Sequence, residues 1–290
     1  MQFYPAPAKL NLFLHIIGRR DDGYHLLQTI FRFIDFNDRL GFNLRSDGII
    51  QLQTPLTGVS AEQNLCVRAA KLLQEKGRVN QGVDIYLEKH IPMGGGLGGG
   101  SSDAATTLII LNHLWGLNWD RDSLMELGLK LGADIPVFIY GDSAFAEGVG
   151  EKLSTVILPN AWYLVLTPAV NVSTAQVFAS NELTRDTIPI TIPPFSIYDG
   201  HNDLESVVCR MYSDVAKCID WLKQLNNTTL VAMTGSGSSV FAEFETEAQA
   251  KEACHRLPDG INAVVAKGLA KHPLRYYDNF KTWSKIFSIS

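Results

Sequence analysis

Near the start of this chain a lysine and an asparagine alternate with apolar residues, in Pro7-Ala8-Lys9-Leu10-Asn11-Leu12-Phe13-Leu14-His15-Ile16, and further on a single aspartate interrupts the apolar run Leu131-Gly132-Ala133-Asp134-Ile135-Pro136-Val137-Phe138. A period of two puts Leu10, Leu12, Leu14 and Ile16 on one strand face and Lys9, Asn11 and His15 on the other. By periodicity alone the polar face reads best as the solvated side of an edge strand. Lysine beside asparagine also suits an anionic ligand that carries hydroxyls. Asp134, two residues before Pro136, stands where a helix cap would. A carboxylate among apolar neighbours is costly to desolvate unless a cation pairs with it, and Lys9 is available. Paired, the two would form a general base held beside an ammonium.

Six of the seven positions from Gly94 to Gly100 are glycine, within Pro92-Met93-Gly94-Gly95-Gly96-Leu97-Gly98-Gly99-Gly100-Ser101-Ser102-Asp103. A helical pattern marked by Ala104, Leu108, Leu111 and Trp115 follows at once. Each glycine costs conformational entropy on folding, so a packed domain keeps such a run where it needs positive φ or close backbone approach to a ligand. Backbone N–H groups ahead of a helix N-terminus make a polyphosphate cradle. A flexible linker would mix glycine with serine between polar flanks. Here the alternating strand Val83-Asp84-Ile85-Tyr86-Leu87-Glu88 precedes the loop. No lysine follows the last glycine, which excludes a Walker A loop. Gly94, Gly96 and Gly99 match G-x-G-x-x-G, with Asp120 about 20 residues on, but Asp120 opens another helix, so a nicotinamide-dependent oxidoreductase ranks far behind.

Two more turns carry ligand-type residues. Gly18-Arg19-Arg20-Asp21-Asp22-Gly23-Tyr24-His25 is an ordinary polar hairpin connection by composition, yet it ends in an aromatic ring and an imidazole suited to a planar base. Thr234-Gly235-Ser236-Gly237-Ser238-Ser239 reads as a plain hairpin or as a second turn closing on phosphate.

The elements that must position these residues mix strands and helices without regular alternation, which favours an α+β sandwich over a doubly wound sheet. Strands are expected up to about Leu52, then a helix from Asn64 to Glu75, the Val83 strand, the glycine loop and two helices ending near Leu131. A strand at Ser143 to Glu147 precedes a boundary near Thr155 to Asn160. Beyond it come a strand at Trp162 to Thr167, a helix from Thr174, a Pro-rich stretch at Ile188 to Pro194 and a helical segment from Asn202, broken once. A ββαβ ending closes the pattern, with strands at Leu230 to Met233, Ser239 to Phe244 and Ala263 to Ala266 around a helix from Thr246 to Leu257. With 290 residues and a net charge of −5, the chain can build a large core but lacks the basic surface that nucleic acid or anionic membrane requires. Cys66, Cys209, Cys218 and Cys254 fall in helical patterns without C-x-x-C spacing, and the seven histidines show no metal-ligand spacing, so a protein-ligated zinc site is not expected. Without a leader or a membrane-length apolar run, a cytoplasmic protein is expected.

Three separated motifs, Pro7-x-Lys9-x-Asn11, the loop from Pro92 to Ala105, and Met233-Thr234-Gly235-Ser236-Gly237-Ser238, resemble the GHMP kinases in order and spacing. Ala8-Lys9-Leu10-Asn11-Leu12, Asp22-Gly23-Tyr24-His25, Glu62-Gln63-Asn64-Leu65 and Gly132 to Phe138 are similar to the branch whose acceptor is a cytidine-diphosphate-linked methylerythritol. The likeness runs from about Pro7 to Leu274. It implies a two-domain α+β fold: an ATP-binding, ribosomal-protein-S5-like domain at 1–157, and a ferredoxin-like domain at 158–290 with a short aromatic tail from about 275. The active site would lie in the cleft between them. The resemblance further implies transfer of the ATP γ-phosphate, with Mg²⁺, to a tertiary hydroxyl of that small-molecule acceptor in non-mevalonate isoprenoid synthesis, by a monomer or homodimer.

By the same likeness Asp134 is the general base and Lys9 the partner that polarises the hydroxyl. Asn64 and Leu65 lie near the adenine, and Pro92, Met93, Gly94, Gly95, Gly96, Leu97, Gly98, Gly99, Gly100, Ser101 and Ser102 form the ATP loop. Asn11, Tyr24, His25, Asp134, Thr234, Gly235 and Ser236 hold the acceptor, with Tyr24 stacked on cytosine and His25 hydrogen-bonding it. A second stacking aromatic is left between Phe178 and Phe195. The tail, with Tyr276, Tyr277, Phe280, Trp283 and Phe287, is open to packing on the C-terminal domain or to an oligomer contact. Kinases of homoserine or mevalonate derivatives, and a non-catalytic nucleotide-binding protein on the same scaffold, are the alternatives.

Overall fold

A computed structural model describes residues 1–190 and 200–277; Phe195, Phe280, Trp283 and Phe287 lie outside that range. The chain opens with two long antiparallel strands, β1 (Phe3–Arg19) and β2 (His25–Arg45), whose connecting turn presents Tyr24 and His25. Along its length β2 also pairs with β4 (Gly82–Glu88) and β5 (Ala144–Glu147). The short β3 (Ile50–Leu52) runs parallel to β4, and β6 (Lys152–Thr155) closes a hairpin with β5.

Four helices pack with these strands: α1 (Leu65–Gly77), α2 (Gly99–Leu114), α3 (Arg121–Leu129) and α4 (Ile135–Tyr140). Asn64 starts α1 by accepting the Cys66 N–H through its side chain (2.8 Å). Helix α2 starts directly from the glycine loop and is buried almost all round, in keeping with its run of Ala, Thr, Leu and Ile.

The second half forms an antiparallel sheet in the order β10-β7-β9-β8, from β7 (Trp162–Thr167), β8 (Leu230–Met233), β9 (Val240–Phe244) and β10 (Asn262–Leu269). With α5 (Thr174–Ala179), α6 (Glu205–Met211), α7 (Ser213–Lys223) and α8 (Glu247–His255), this is the ferredoxin-like arrangement expected from the ββαβ ending. Gly268 and Leu269 of β10 pair with Ile34 and Phe33 of β2, so the sheets of the two halves are continuous. The four cysteines sit on α1, α6, α7 and α8 as free thiols.

Three features depart from the sequence reading. The stretch between Leu131 and Ser143, to which no element was assigned, contains the short helix α4, and β6 was not anticipated. The polar face of β1 is not solvated: Lys9, Asn11 and His15 are all buried, because other elements cover both faces of the strand. A register shift between Asn11 and Leu14 breaks the alternation, so Leu14 follows Lys9 and Asn11 into the cleft while His15 turns to His201 and Asp203. The start of the aromatic tail packs on the N-terminal core, not on the C-terminal sheet: Tyr277 meets Tyr4 edge-on, and His272 N–H donates to the Gly141 carbonyl (2.8 Å).

Candidate active site

A cleft of about 980 Å³ runs between the glycine loop, the β1–β2 turn, α4 and the Thr234–Ser239 turn. At its middle Lys9 Nζ lies 3.5 Å from Asp134 Oδ2. The lysine side chain is 3% exposed and the aspartate 40%, so the ammonium is fixed from behind while the carboxylate is open to a ligand. Lys9 is held by donation to Asn11 Oδ1 and by the Phe31 ring, 5.5 Å away. Asn11 in turn donates to Thr29 Oγ1 (2.9 Å). Asp134 occupies the cap position of α4 but its side chain makes no capping bond, which sets the helix-cap reading aside.

The glycine loop has its carbonyls turned inward. Gly95 O accepts from Ser239 N–H (3.1 Å), Gly96 O from Thr234 Oγ1 (3.3 Å) and Leu97 O from Lys9 N–H (2.9 Å). In a trans peptide the following N–H points opposite to the carbonyl, so the amides of Gly96, Leu97 and Gly98 face away from the protein, on residues that line the cleft. Among the described residues none of the three donates to a protein acceptor. Glycine is required here. A Cβ on Gly96, at φ 76°, would stand 2.2 Å from the Thr234 carbonyl, and one on Gly98, at φ 72°, 2.9 Å from the Phe138 ring. Two sequence assignments need correcting. The Ser102 N–H is consumed by Gly98 O (2.9 Å) and its side chain is fully buried, so it presents no amide to phosphate. Thr234 is also fully buried; it braces Asn11 and Gly96 from behind and leaves Gly235 and Ser236 to line the cleft.

Beneath the loop lies a charge cluster that sequence reasoning missed. Lys89, at the end of β4, bonds to Asp38 and to Asp103 (2.8 Å). Burial opposes the Lys89 ammonium, but Asp103 and Asp38 hold its pKa above the ordinary value. Burial, with Asp38 adding to it and Lys89 opposing, pushes Asp103 up to about 7. Asp103 Oδ1 and Ser102 Oγ are buried without a partner among the described residues. The only sequence signal was the position of Lys89 beside the loop motif and of Asp103 at its end.

Leu65, Pro92 and Met93 line the cleft wall beside the glycine loop with Leu56, Val59 and Asn64, although the Asn64 carboxamide oxygen is already spent on capping α1. At the other end Tyr24 is 63% exposed, and His25 faces Phe178, with ring centroids 5.0 Å apart and planes inclined by 35°. Burial first, then Arg185 and Arg19, keep the His25 imidazole below its ordinary pKa. Phe178, left unranked by sequence, thus joins the cleft wall.

Fold and cleft together define a GHMP kinase. Residues 64–142 match the GHMP kinases N terminal domain and residues 196–262 the GHMP kinases C terminal model. A 4-diphosphocytidyl-2-C-methyl-D-erythritol kinase of Nitrosospira multiformis is 63% identical over 270 residues, 93% of this chain and 92% of that one. The protein of the same name from Nitrosomonas europaea is 62% identical over 275 residues, 94% and 99% of the two chains. A crystal structure of 4-(cytidine 5'-diphospho)-2C-methyl-D-erythritol kinase, 34% identical, superposes with a TM-score of 0.80 over 92% of this chain and 99% of that one. A mevalonate kinase crystal structure, 15% identical with a TM-score of 0.67, shares the fold. The chain belongs to the 4-diphosphocytidyl-2-C-methyl-D-erythritol kinase family.

Proposed function

We propose that this protein uses ATP to phosphorylate the C2 hydroxyl of 4-diphosphocytidyl-2-C-methyl-D-erythritol, a step of non-mevalonate isoprenoid precursor synthesis. The observation that carries the reading is the Lys9–Asp134 pair in the middle of a cleft with an amide-lined end and an aromatic end. An alcohol seated between the two gives its proton to the Asp134 carboxylate as its oxygen attacks the γ-phosphorus. The bond from that phosphorus to the β,γ-bridging oxygen breaks and ADP leaves. Lys9 stabilises charge developing on the attacking oxygen. The amides of Gly96, Leu97 and Gly98, ahead of the α2 N-terminus, bind phosphate oxygens and stay fixed through the transfer.

Bound Mg²⁺ would neutralise β- and γ-phosphate oxygens. The unpartnered Asp103 Oδ1, on a residue that lines the cleft, is a hard oxygen of the type that suits it, and Asp103 would hold it. At the far end Tyr24 and Phe178 supply ring faces for cytosine and His25 a hydrogen bond. Among the described residues no helix is long and apolar enough to cross a membrane.

The test is ADP release with the cytidylated methylerythritol, homoserine or mevalonate as acceptor. Release dependent on the first alone is expected; equal release with homoserine or mevalonate would overturn the assignment.

A further inference from the structure

Asn202 is buried and does not line the cleft, yet its side chain is committed to a turn that does. Its carboxamide nitrogen donates to the carbonyls of Met233 and Gly235 (both 2.8 Å), and its oxygen accepts the Leu204 N–H (2.9 Å) ahead of α6. The backbone on either side of it is bound to β1. Leu14 N–H donates to the His201 carbonyl and Asp203 N–H to the Leu14 carbonyl (both 2.9 Å), while Asp203 Oδ2 accepts the Ile16 N–H (2.6 Å). Asn202 is thus a strut, with its backbone fixed to β1 and its side chain fixed to the turn after β8.

The two carbonyls it holds flank Thr234, where both halves of the proposed reaction meet. Thr234 Oγ1 accepts the Asn11 N–H (3.0 Å) and lies 3.3 Å from both Asn11 Oδ1 and the Gly96 carbonyl. Asn11 Oδ1 is in turn the acceptor for Lys9. At the next residue, Gly235 takes φ 57°, and a Cβ there would stand 3.2 Å from the Gly96 carbonyl and 3.4 Å from Lys9 Nζ. The turn therefore sits between the ammonium beside the acceptor alcohol and the loop that cradles phosphate, and its position sets the gap between them. Bonds within the turn, from Thr234 N–H to the Ser239 carbonyl and from Gly237 N–H to the Thr234 carbonyl, fix its shape. Asn202, with Glu205 Oε2 on the Met233 N–H (3.1 Å), fixes its place.

We propose that Asn202 is a positioning residue for phosphoryl transfer, whose clamp on the Met233 and Gly235 carbonyls sets the distance between the alcohol at Lys9 and the phosphate on the glycine loop. The inference rests on the kinase reaction proposed above. Two carbonyls converging on one atom require two N–H donors on that atom, and the Leu204 N–H requires an acceptor beside it; a carboxamide supplies all three. Neither substrate reaches Asn202, so its loss leaves the groups that bind each of them in place and costs their alignment. Phosphoryl transfer draws its rate largely from alignment, and misplacement by about 1 Å costs about 10²-fold.

The experiment uses the full chain. Rapid-quench measurement at saturating ATP and cytidine-linked acceptor should show transfer about 10²-fold slower in Asn202→Ala, with the dissociation constants of both substrates within about threefold of wild type. Thr234→Val, which keeps the shape and removes the hydroxyl, should slow transfer in the same way. The double variant should be no slower than the slower single one, because both break one path. Thr234→Val carries the test if Asn202→Ala does not fold. His201→Gln, in the same segment but with its ring on His15 and Asp203, should transfer at the wild-type rate. A wild-type rate in either Asn202→Ala or Thr234→Val, a loss of affinity as large as the loss of rate, multiplying losses in the double variant, or an equal loss in His201→Gln overturns the proposal. Failure of the wild type to phosphorylate the cytidine-linked acceptor overturns the parent reading and this one with it, and is seen before any variant is made.

Discussion

At the glycine-loop end of the cleft the groups that face outward are backbone: three amides on a loop whose carbonyls are tied to Lys9 of β1, to Ser239 and to Thr234. At the opposite, aromatic end they are side chains, Tyr24, His25 and Phe178, drawn from a hairpin turn and a helix far apart in sequence and joined by Arg185. The first surface is sterically exact but chemically plain, as suits phosphate oxygens common to every nucleotide. The second is adaptable in shape and specific in hydrogen bonding, as suits one base among several. The difference teaches where damage should appear: backbone changes at one end should cost ATP binding and stability, and side-chain changes at the other should cost acceptor affinity alone.

The largest effect that sharpens this contrast is expected from Gly96→Ala. Its Cβ would sit 2.2 Å from the Thr234 carbonyl at a positive φ, so a loss of at least about 3 kcal/mol in stability, with ATP binding lost, is expected by calorimetry. Gly100→Ala is the control. There the Cβ meets only Leu65 Cδ1 at 3.5 Å, and the change should stay within about 0.5 kcal/mol. Next, Tyr24→Ala should raise the acceptor KM about 10- to 100-fold, the worth of a stacked base, while leaving kcat and the KM for ATP near wild type. A matching rise in the KM for ATP would break the separation of the two ends.

A further effect lies outside both ends. Burial first, and Arg121 second, lower the His272 pKa from 6.5 to about 3. The unfolded chain takes up this proton as pH falls below about 6.5 and the folded chain does not. Stability is therefore lost as pH falls from there toward 3, by about 2 kcal/mol at pH 5. Urea unfolding at pH 7.5 and 5 should show that loss in the wild type and a smaller one in His272→Gln. Acid sensitivity in the wild type can then be separated from titration within the cleft.

The glycine-loop end was legible because its cost is written locally: six glycines before a helix have few other uses, and the loop presents backbone that sequence order already places. Most elements were legible for the same reason, their periodicity being local. The aromatic end was legible only in part. Tyr24 and His25 stood out as an aromatic and an imidazole in a polar turn, but Phe178 and Arg185 act through partners that only the folded chain brings near. Lys9 and Asn11 read better by periodicity as a solvated face, since alternation cannot tell water from a cleft. The register shift after Asn11, which separates His15 from them, has no mark in the apolar pattern. The Lys89–Asp38–Asp103 cluster stayed hidden because three ordinary charged residues become unusual only when buried together.

The central claim is that an acceptor alcohol lies between Lys9 and Asp134 and yields its proton to the carboxylate. Rapid-quench measurement of phosphoryl transfer in Asp134→Asn, with ATP affinity measured on the same sample, tests it most directly. Transfer should fall by about 10²- to 10⁴-fold with ATP affinity within about twofold of wild type. Transfer near the wild-type rate, with ATP bound normally, would contradict the account.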